Sequence, residues 1–577
     1  MKEMRELLLK YALLNAVKHQ GKAQLNAVIS KVFAERPDLR PKARELVSLA
    51  KEVIYEVNNL DLEKQRSIIE SRWPELLEER KREEKKELPP LPKFERVKKV
   101  VTRFAPNPDF VLHLGSARPA ILSYEYARRY KGKFILRFED TDPKTKTPIP
   151  EAYKLIKEDL KWLGLKWDEE YVQSLRMEIY YEYAEKLLRS GKAYACTCPF
   201  ERIREERKRG LEDPCSNLSM EEHLDRWKKM LNGEYDEGEA VLRINTGPHP
   251  DPSVRNWIAF RIIDTEKYPH PLTGSKYRVW PTYNFACAID DHLMGVTYIL
   301  RAKEHETNTI KQGYIYKFLN WDPPIAIHFG RLNLEDMILS KSKIREGITR
   351  GLFKGWDDPR LGTLIALRRR GILPEAIWDL VIDVGIKPSS ATISLDMLHA
   401  LNRKYLEPKA NRYMFVPKPV KVKIYSDSKE LKAKIPYHPS FPERGARTID
   451  LKTNDEYIYI YLSEDDLKEL KKGSEIRLLG LANVEVVSLN PPIVRVINKD
   501  TDYAKRKGLK IVQWVPYGES ILTRVVMAKG MNLYDIEGLS EPGLKELSIG
   551  AQIQFFRFGF VKLEEKNNAL TFIYTHD

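Results

Sequence analysis

The chain has 577 residues, more than one hydrophobic core organises, so several domains are expected. Lys and Arg number 98 against 83 Asp and Glu, and the formal charge of +15 favours a polyanionic partner over an acidic small molecule. Four cysteines exclude a disulfide scaffold, and no run approaches the roughly 18 apolar residues of a membrane span, so a cytoplasmic protein with no membrane partner is expected.

In chain order, residues 1–90 read as a helical domain. Its opening stretch, MKEMRELLLKYALLNAVKHQ, has helical periodicity with Lys10 interrupting the apolar face, which suits an amphipathic helix and not a signal peptide. The charge run EERKREEKKE (78–87) reads as a solvated helix face, and ELPPLPKFER then breaks any helix and marks a linker. From Lys98 the pattern alternates: strand KKVVTRFA, helix ARPAILSYEYARRY, strand KFILRFE, helix EAYKLIKEDLKWLG. That order predicts an α/β multidomain protein with a parallel sheet, over 97–190 and 286–345. An insertion over 191–285, carrying the basic run RIREERKR, interrupts it before GVTYILRAKEH, a helix through YIYKFLNW and the strand IAIHFG resume the alternation. Residues 346–410 read as helical. Over 411–577 short β runs such as VKVKIY, YIYIYL and VEVVSL predict one or two antiparallel barrels.

The chemistry concentrates at two places. TRFAPNPDFVLHLGSARPA puts His113 and Gly115 where a strand gives way to a helix. A helix N-terminus presents unpaired N–H groups and the positive end of the dipole, so it receives phosphate well. Gly115 lets a ligand approach the backbone, His113 can donate toward a phosphate oxygen, Ser116 could cap, and Pro119 suits a first turn. Taken alone, H-x-G equally fits a core histidine, since the P-loop and the dinucleotide fingerprint are both absent. The second place is MILSKSKIR (337–345), where Ser340 and Ser342 flank Lys341, in a loop before the next helix. A lysine is a mobile point charge suited to a phosphate on which negative charge develops, though S-K-S-K by itself could be a surface loop.

The two stretches in this order resemble the paired signatures of class I aminoacyl-tRNA synthetases. Together with KFILRFEDTDP, WPTYNFACAIDDHLMGVTYILRAKEH, HFGRLNLEDMILSKSK, GWDDPRLGTLIALRRRG and IVQWVPYG, the chain from about residue 95 to 577 is similar to archaeal-type glutamyl-tRNA synthetases, the branch sharing its architecture with the glutaminyl enzymes. The resemblance implies a Rossmann-like doubly wound catalytic domain, an insertion that receives the tRNA acceptor end, a helical stem-contact region and anticodon-reading barrels. It implies ATP with Mg2+ as cofactors. The partners would be L-glutamate and tRNA(Glu), with tRNA(Gln) left open, and a monomer is expected. His113, Gly115 and Lys341 would be catalytic, with Arg331, Leu332, Ser340 and Ser342 at the nucleotide.

Glutamate brings a second carboxylate, whose unpaired burial costs several kcal/mol, of order ~3–5. An arginine fork answers it with parallel charge-assisted bonds. The resemblance places this work on Arg103 and on Arg301, where glutaminyl enzymes carry a small uncharged residue. A structural ion pair of Arg301 with Glu304 or Asp290 is the plain alternative. Glu139 and Tyr283 would hold the α-amino group, with Ala105 and Asn107 flanking, while Asp140 and Asp142 are expected to cap the next turn. Ser116 departs from the second His common in the first signature.

Cys196, Cys198 and Cys215 match three positions of a zinc pattern found in some glutamyl enzymes, but Asn217 stands at the fourth and His223 is wrongly spaced. Three ligands do not close a structural site, so zinc stays uncommitted and no metal residue is assigned. Arg412, Gln513 and Arg524 are candidate tRNA contacts on chemistry alone. Besides glutamate–tRNA ligation, two other functions fit: a glutaminyl-tRNA synthetase, which Arg301 opposes, and a tRNA-binding protein with a dead site.

Overall fold

A computed structural model describes the whole chain except Met1 and residues 19–20, 37, 40–42, 74–86, 210–212, 336 and 454. The charge run at 78–87 therefore lies almost wholly outside the described residues. The chain divides into two compact units, Met1–Glu87 and Leu88–Asp577. In the first, helices Lys2–Lys18, Leu25–Glu35, Ala43–Asn58 and Leu62–Arg72 bury Leu8, Leu13, Val28, Val53 and Ile69 in one core. Gln65 is fully buried there, its amide donating to the carbonyls of Gly21, Val57 and Leu60.

The second unit opens on the proline stretch read as a linker. It is a packed strap. Leu88 and Leu91 are buried in the core of the parallel-sheet domain, Tyr126 and Tyr298 donate hydroxyls to the carbonyls of Pro89 and Pro92, and Leu91 N–H reaches the Tyr130 hydroxyl. The prolines that forbid a helix thus leave free carbonyls for tyrosines to claim.

Behind the strap lies a wholly parallel five-stranded sheet: β1 (Val101–Phe104), β2 (Lys133–Phe138), β3 (Glu169–Val172), β4 (Tyr298–Ala302) and β5 (Ile325–Phe329), in the order β3-β2-β1-β4-β5. Alternation within each strand sorts the side chains. Phe104, Phe134, Leu136, Phe138, Tyr298 and Leu300 face the large core under helices Leu114–Arg129 and Pro374–Val384. Each such burial contributes roughly 1.5–3 kcal/mol. Val101, Ile135 and Ile299 face the opposite layer, where Met294 and Val296 follow helix Tyr283–Leu293. The sequence order reverses between β1 and β4, and crevices at such switch points receive ligands.

The insertion carries a four-stranded antiparallel sheet, Ala193–Cys196, Val241–Ile244, Ile258–Ile262 and Val279–Pro281. C-terminally, two seven-stranded curled sheets form, one containing Ile521–Lys529 and Asn532–Ser540, the other Pro419–Tyr425 and Tyr457–Ser463. Antiparallel pairing dominates, as the short alternating runs imply, but long connections also create parallel pairs such as Thr523 with Leu570.

Candidate active site

Three arginines stand on one face of the parallel sheet: Arg103 on β1, Arg137 on β2 and Arg301 on β4. Each occupies the parity opposite the large core, which turns it toward helix Tyr283–Leu293. Arg103 and Arg137 find charges there. Arg103 donates Nε to Asp291 at 3.1 Å, and Arg137 donates Nη1 to the same carboxylate at 2.7 Å and Nη2 to Glu139 at 2.9 Å. Burial would raise the Asp291 pKa, yet the two guanidiniums outweigh it and hold the carboxyl at about 2. Burial and the charge of Asp291 push the Cys287 thiol, one turn back on the helix, up to about 12.

Arg301 differs. It is 5 % exposed, and its recorded acceptors are neutral: the Tyr283 hydroxyl at 3.2 Å, Thr309 Oγ1 at 2.7 Å and the Gln312 amide oxygen at 3.0 Å. Its Nε is buried without a partner. Among the described residues no carboxylate pairs with it. The alternative ion pairs go elsewhere, for Glu304 meets Arg331 and Asp290 meets Arg176 at 3.0 Å. Gln312 is oriented in turn: its N–H donates to Asn284, whose amide donates to Asn308, which contacts His305. Tyr283 feels Glu139, Arg301 and Arg103 together, and burial first of all lifts its phenol well above the ordinary value. His305 is lowered to about 4 by burial, then by Arg301 and Arg103. Arg103, Glu139, Tyr283 and Arg301 therefore lie close enough to influence one another. Asn107 accepts the Asp109 N–H at 3.0 Å, and beside it Ala105 is half-buried at the end of β1.

The two signatures also meet. His113 is the N-cap residue of helix Leu114–Arg129, with Ser116 N–H on its carbonyl at 2.8 Å. Ser116 is therefore inside the helix, and Pro119 lies a turn deeper than expected. Burial, then the charge of Lys341, lowers His113 to about 4, so the imidazole is neutral near pH 7, and its Nδ1 has no protein partner. A Cβ on Gly115 would sit 2.9 Å from the His113 ring, so the glycine makes room for the imidazole rather than for a left-handed turn. Lys341 is the first residue of helix Lys341–Thr349, not a loop residue, with Ser340 as N-cap and Ser340 Oγ 3.2 Å from Ser342 Oγ. Its ammonium rests on Asp109 at 2.9 Å and 5.8 Å from the Phe110 ring. A third segment joins the pair: Leu114 N–H donates to Gly362 O at 3.1 Å, and Gly362 N–H to Ile338 O at 3.1 Å. Nearby, Leu332 is buried and paired with Ala391, and exposed Arg331 holds Glu304.

Several partners escaped the sequence reading: Arg137, Asp291, Gln312, Thr309 and Asp109. An arginine amid the apolar run KFILRF was the available signal, because a residue buried in a parallel strand must find a counter-charge. Asp142 caps as expected, accepting Thr145 N–H at 2.9 Å. Asp140 does not: it is fully buried and accepts from Tyr153, Ser174 and, through its carbonyl, His270. Cys196, Cys198 and Cys215 acquire a fourth neighbour, Asp213, with all four donor atoms within 4.8 Å of one another. Asp213 precedes Cys215 by two residues, the mirror of the position occupied by Asn217. Three thiols and a carboxylate suit a tetrahedral zinc, with Arg226 3.4 Å from Cys215 and Arg243 3.5 Å from Asp213 offsetting the negative charge. Of the tRNA candidates, Arg412 pairs with Glu407, Arg524 forks onto Asp535 at 3.0 and 2.7 Å, and Gln513 is buried with its amide oxygen on Phe415 N–H.

Comparison with known proteins matches residues 99–408 to the catalytic domain of class I tRNA synthetases (E and Q), and 410–499 to the anti-codon binding domain of the same class. The chain is 58 % identical to a glutamate–tRNA ligase of Thermofilum pendens and 52 % identical to one of Pyrobaculum islandicum, in both cases over 100 % of each chain. It is 51 % identical, again over 100 % of both chains, to the glutamate–tRNA ligase of Pyrococcus furiosus. Parallel sheet, paired signatures and full-length similarity agree, and the chain belongs to the class I tRNA synthetases of the glutamate and glutamine type.

Proposed function

We infer that the chain is a glutamate–tRNA ligase. In the first step a carboxylate oxygen of L-glutamate attacks the α-phosphorus of ATP, forming glutamyl-adenylate and releasing pyrophosphate. In the second, a terminal ribose hydroxyl of tRNA(Glu) attacks the activated carbonyl and AMP leaves. No protein nucleophile takes part, so positioning and charge stabilisation supply the rate. Neutral His113 donates a hydrogen bond to the phosphates without giving up its proton. Lys341 leaves Asp109 to meet negative charge as it builds on the phosphates, beside the N–H groups of two helix N-termini. Arg331, Leu332, Ser340 and Ser342 line the nucleotide. Glu139 and Tyr283 receive the α-ammonium, with Ala105 and Asn107 beside it. Mg2+ accompanies ATP and screens its charge.

The observation that carries the glutamate assignment is the buried, carboxylate-free guanidinium of Arg301, a charge the fold leaves for the substrate's side chain. Arg103, already matched to Asp291, adds its remaining Nη1. Glutamine would set amide donors against these donors and be rejected. Pyrophosphate exchange with each amino acid in the presence of tRNA tests the assignment. Arg301→Cys should lower kcat/KM for glutamate by about two to three orders of magnitude, the effect of removing one partner of a buried pair. An unchanged value would refute it. Charging of purified tRNA(Gln) beside tRNA(Glu) decides whether both are substrates.

A further inference from the structure

Apart from the three arginines of the sheet, a further guanidinium is buried beside the nucleotide segments. Arg118 stands on the helix whose N-cap is His113, and it is 1 % exposed. Among the described residues no carboxylate pairs with it, and its hydrogen bonds all go to backbone oxygens. Nη1 donates to Gly330 O at 2.6 Å, Nε and Nη2 fork onto Gly385 O at 3.0 and 2.7 Å, and Nη2 also reaches Lys387 O at 3.4 Å. The Phe329 ring centroid lies 4.6 Å from the guanidinium carbon and adds a cation–π face. Gly385 follows the last turn of helix Pro374–Val384, so its carbonyl stands at the negative end of that dipole. Burial lowers the pKa of Arg118 only to about 10, and the group is a cation at neutral pH.

The acceptors belong to the segments around Arg331 and Leu332. Gly330 is the residue at which the chain leaves β5, one before Arg331. Its N–H donates to Lys387 O at 3.0 Å, Ala391 N–H donates to Arg331 O at 2.8 Å, and Leu332–Leu334 pairs in parallel with Ala391–Ile393. Backbone meets backbone so closely there that a Cβ on Gly330 would stand 2.1 Å from the Ser389 carbonyl. At the other end a Cβ on Gly115 would stand 3.5 Å from Leu332 O, so the signature helix begins against this strand. An apolar side chain of similar length would fill the same volume without desolvating a charge, and packing alone asks for no guanidinium. What an apolar chain lacks is a planar fork that holds two segments in fixed directions. We propose that Arg118 is a positioning residue for ATP: it fixes the span between the helix end that meets the phosphates and the strand Leu332–Leu334 that meets the nucleoside. This role rests on the ligase reading and names what holds its ATP site at one length. ATP gripped at both ends gains from each grip only while the span between them fits.

Pyrophosphate exchange by the full chain, with glutamate and tRNA(Glu) present, tests this when adenosine and tripolyphosphate are used as competitors of ATP. Each competitor occupies one end of the site and neither spans both. Arg118→Lys keeps the charge but offers no fork to bridge Gly330 and Gly385. It should raise KM for ATP at least about tenfold, within the roughly 100-fold effect of a displacement of about 1 Å at a positioned reactant. The inhibition constants of adenosine and of tripolyphosphate, and KM for glutamate, should stay within about threefold of wild type, because no single grip depends on the span. Arg118→Met removes every one of these bonds and should show the same split with a larger rise. Thermal melts of both variants report any loss of fold, and where the Met variant does not fold the Lys variant decides alone. An unchanged KM for ATP in a folded variant would overturn the assignment and leave the ligase intact. So would parallel losses for ATP, both competitors and glutamate, the pattern of a residue that only packs. A wild-type chain that supports no exchange with any amino acid would instead sink the ligase reading itself.

Discussion

At Arg301 the decisive property is an absence of compensation among the described residues, and under the proposed reading its neutral neighbours belong to the specificity. Gln312 presents an amide oxygen to Nη2 at 3.0 Å because Asn284 takes its N–H at 3.3 Å. A carboxylate of the same shape would satisfy the guanidinium permanently. Gln312→Glu should therefore raise KM for glutamate at least tenfold while leaving the stability of the fold within about 1 kcal/mol, because a well-formed internal pair roughly balances its own desolvation. Steady-state exchange kinetics paired with a thermal melt check both halves. Loss of stability without loss of glutamate affinity would show Gln312 to be mere scaffolding. How much of this was legible follows from the residue types. Arg103, Arg301, Glu139 and Tyr283 stand in stretches whose resemblance to a known family proposes their roles, and the fold brings them within electrostatic reach of one another. Gln312 and Thr309 stand on a helix where amide and hydroxyl look like ordinary surface polarity, and only the turn of that helix toward β4 gives them meaning. Asp291 was hidden for another reason: it stands beside Asp290, and only helical rotation sends the two to different arginines.

At the level of elements, the two signatures touch through Lys341 and Asp109, but something further must tie their backbones together. The segment around Gly362 does it, accepting a bond from Leu114 and donating one to Ile338, while an antiparallel bridge joins His113 to Thr363. Two helix N-termini are thereby tied together, an arrangement whose dipoles would favour the phosphates of the proposed nucleotide. The segment is tight at this glycine: a Cβ there would lie 2.3 Å from the Leu339 Cδ2 methyl, which must then move, and 3.4 Å from the Ile338 carbonyl. Gly362→Val should push the Ser340–Lys341 turn away from His113, at a cost of about 1–3 kcal/mol in packing. Adenylate formation should slow by at least 100-fold, the usual price of a displacement of about 1 Å at a positioned reactant, while tRNA affinity is retained. Single-turnover exchange alongside a tRNA-binding titration separates the two effects; a parallel fall in both would mean general disruption instead. The elements themselves were readable from alternation and periodicity, including the parallel sheet. Their ends were less so. The expected loop at Ser340–Lys341 is the first turn of a helix, since either serine of S-K-S-K could cap it and the pattern does not choose between them, and the proline strap read as a linker because its partners are tyrosines of a helix and a strand distant in sequence.

Across the whole molecule, burial of neutral imidazoles sets a pH response. His113, His305 and His576 are each lowered to about 4 and His399 to about 3, burial being the first cause in every case. Unfolded, each titrates near 6.5. A histidine whose folded pKa is depressed contributes stability above its unfolded value and loses it as pH falls toward the folded one, because the unfolded chain then binds a proton the native chain refuses. Asp159 acts oppositely. Burial raises it to about 7, Arg368 at 3.9 Å being too distant to prevent it, so near pH 5 the native chain holds a proton that the unfolded chain lacks. Four protons on one side and one on the other leave a net uptake of roughly three on unfolding at pH 5, with each proton worth about 1.4 kcal/mol per pH unit. Denaturant midpoints measured between pH 7 and pH 5 should therefore fall steeply. His399→Phe tests the source. His399 packs 5.0 Å from His576 on helix Leu395–Leu406, an element that carries none of the residues assigned to the reaction, so its removal should flatten the slope by close to one proton without altering adenylate formation. A slope unchanged in that variant would mean that the acid sensitivity of the fold originates outside its buried histidines.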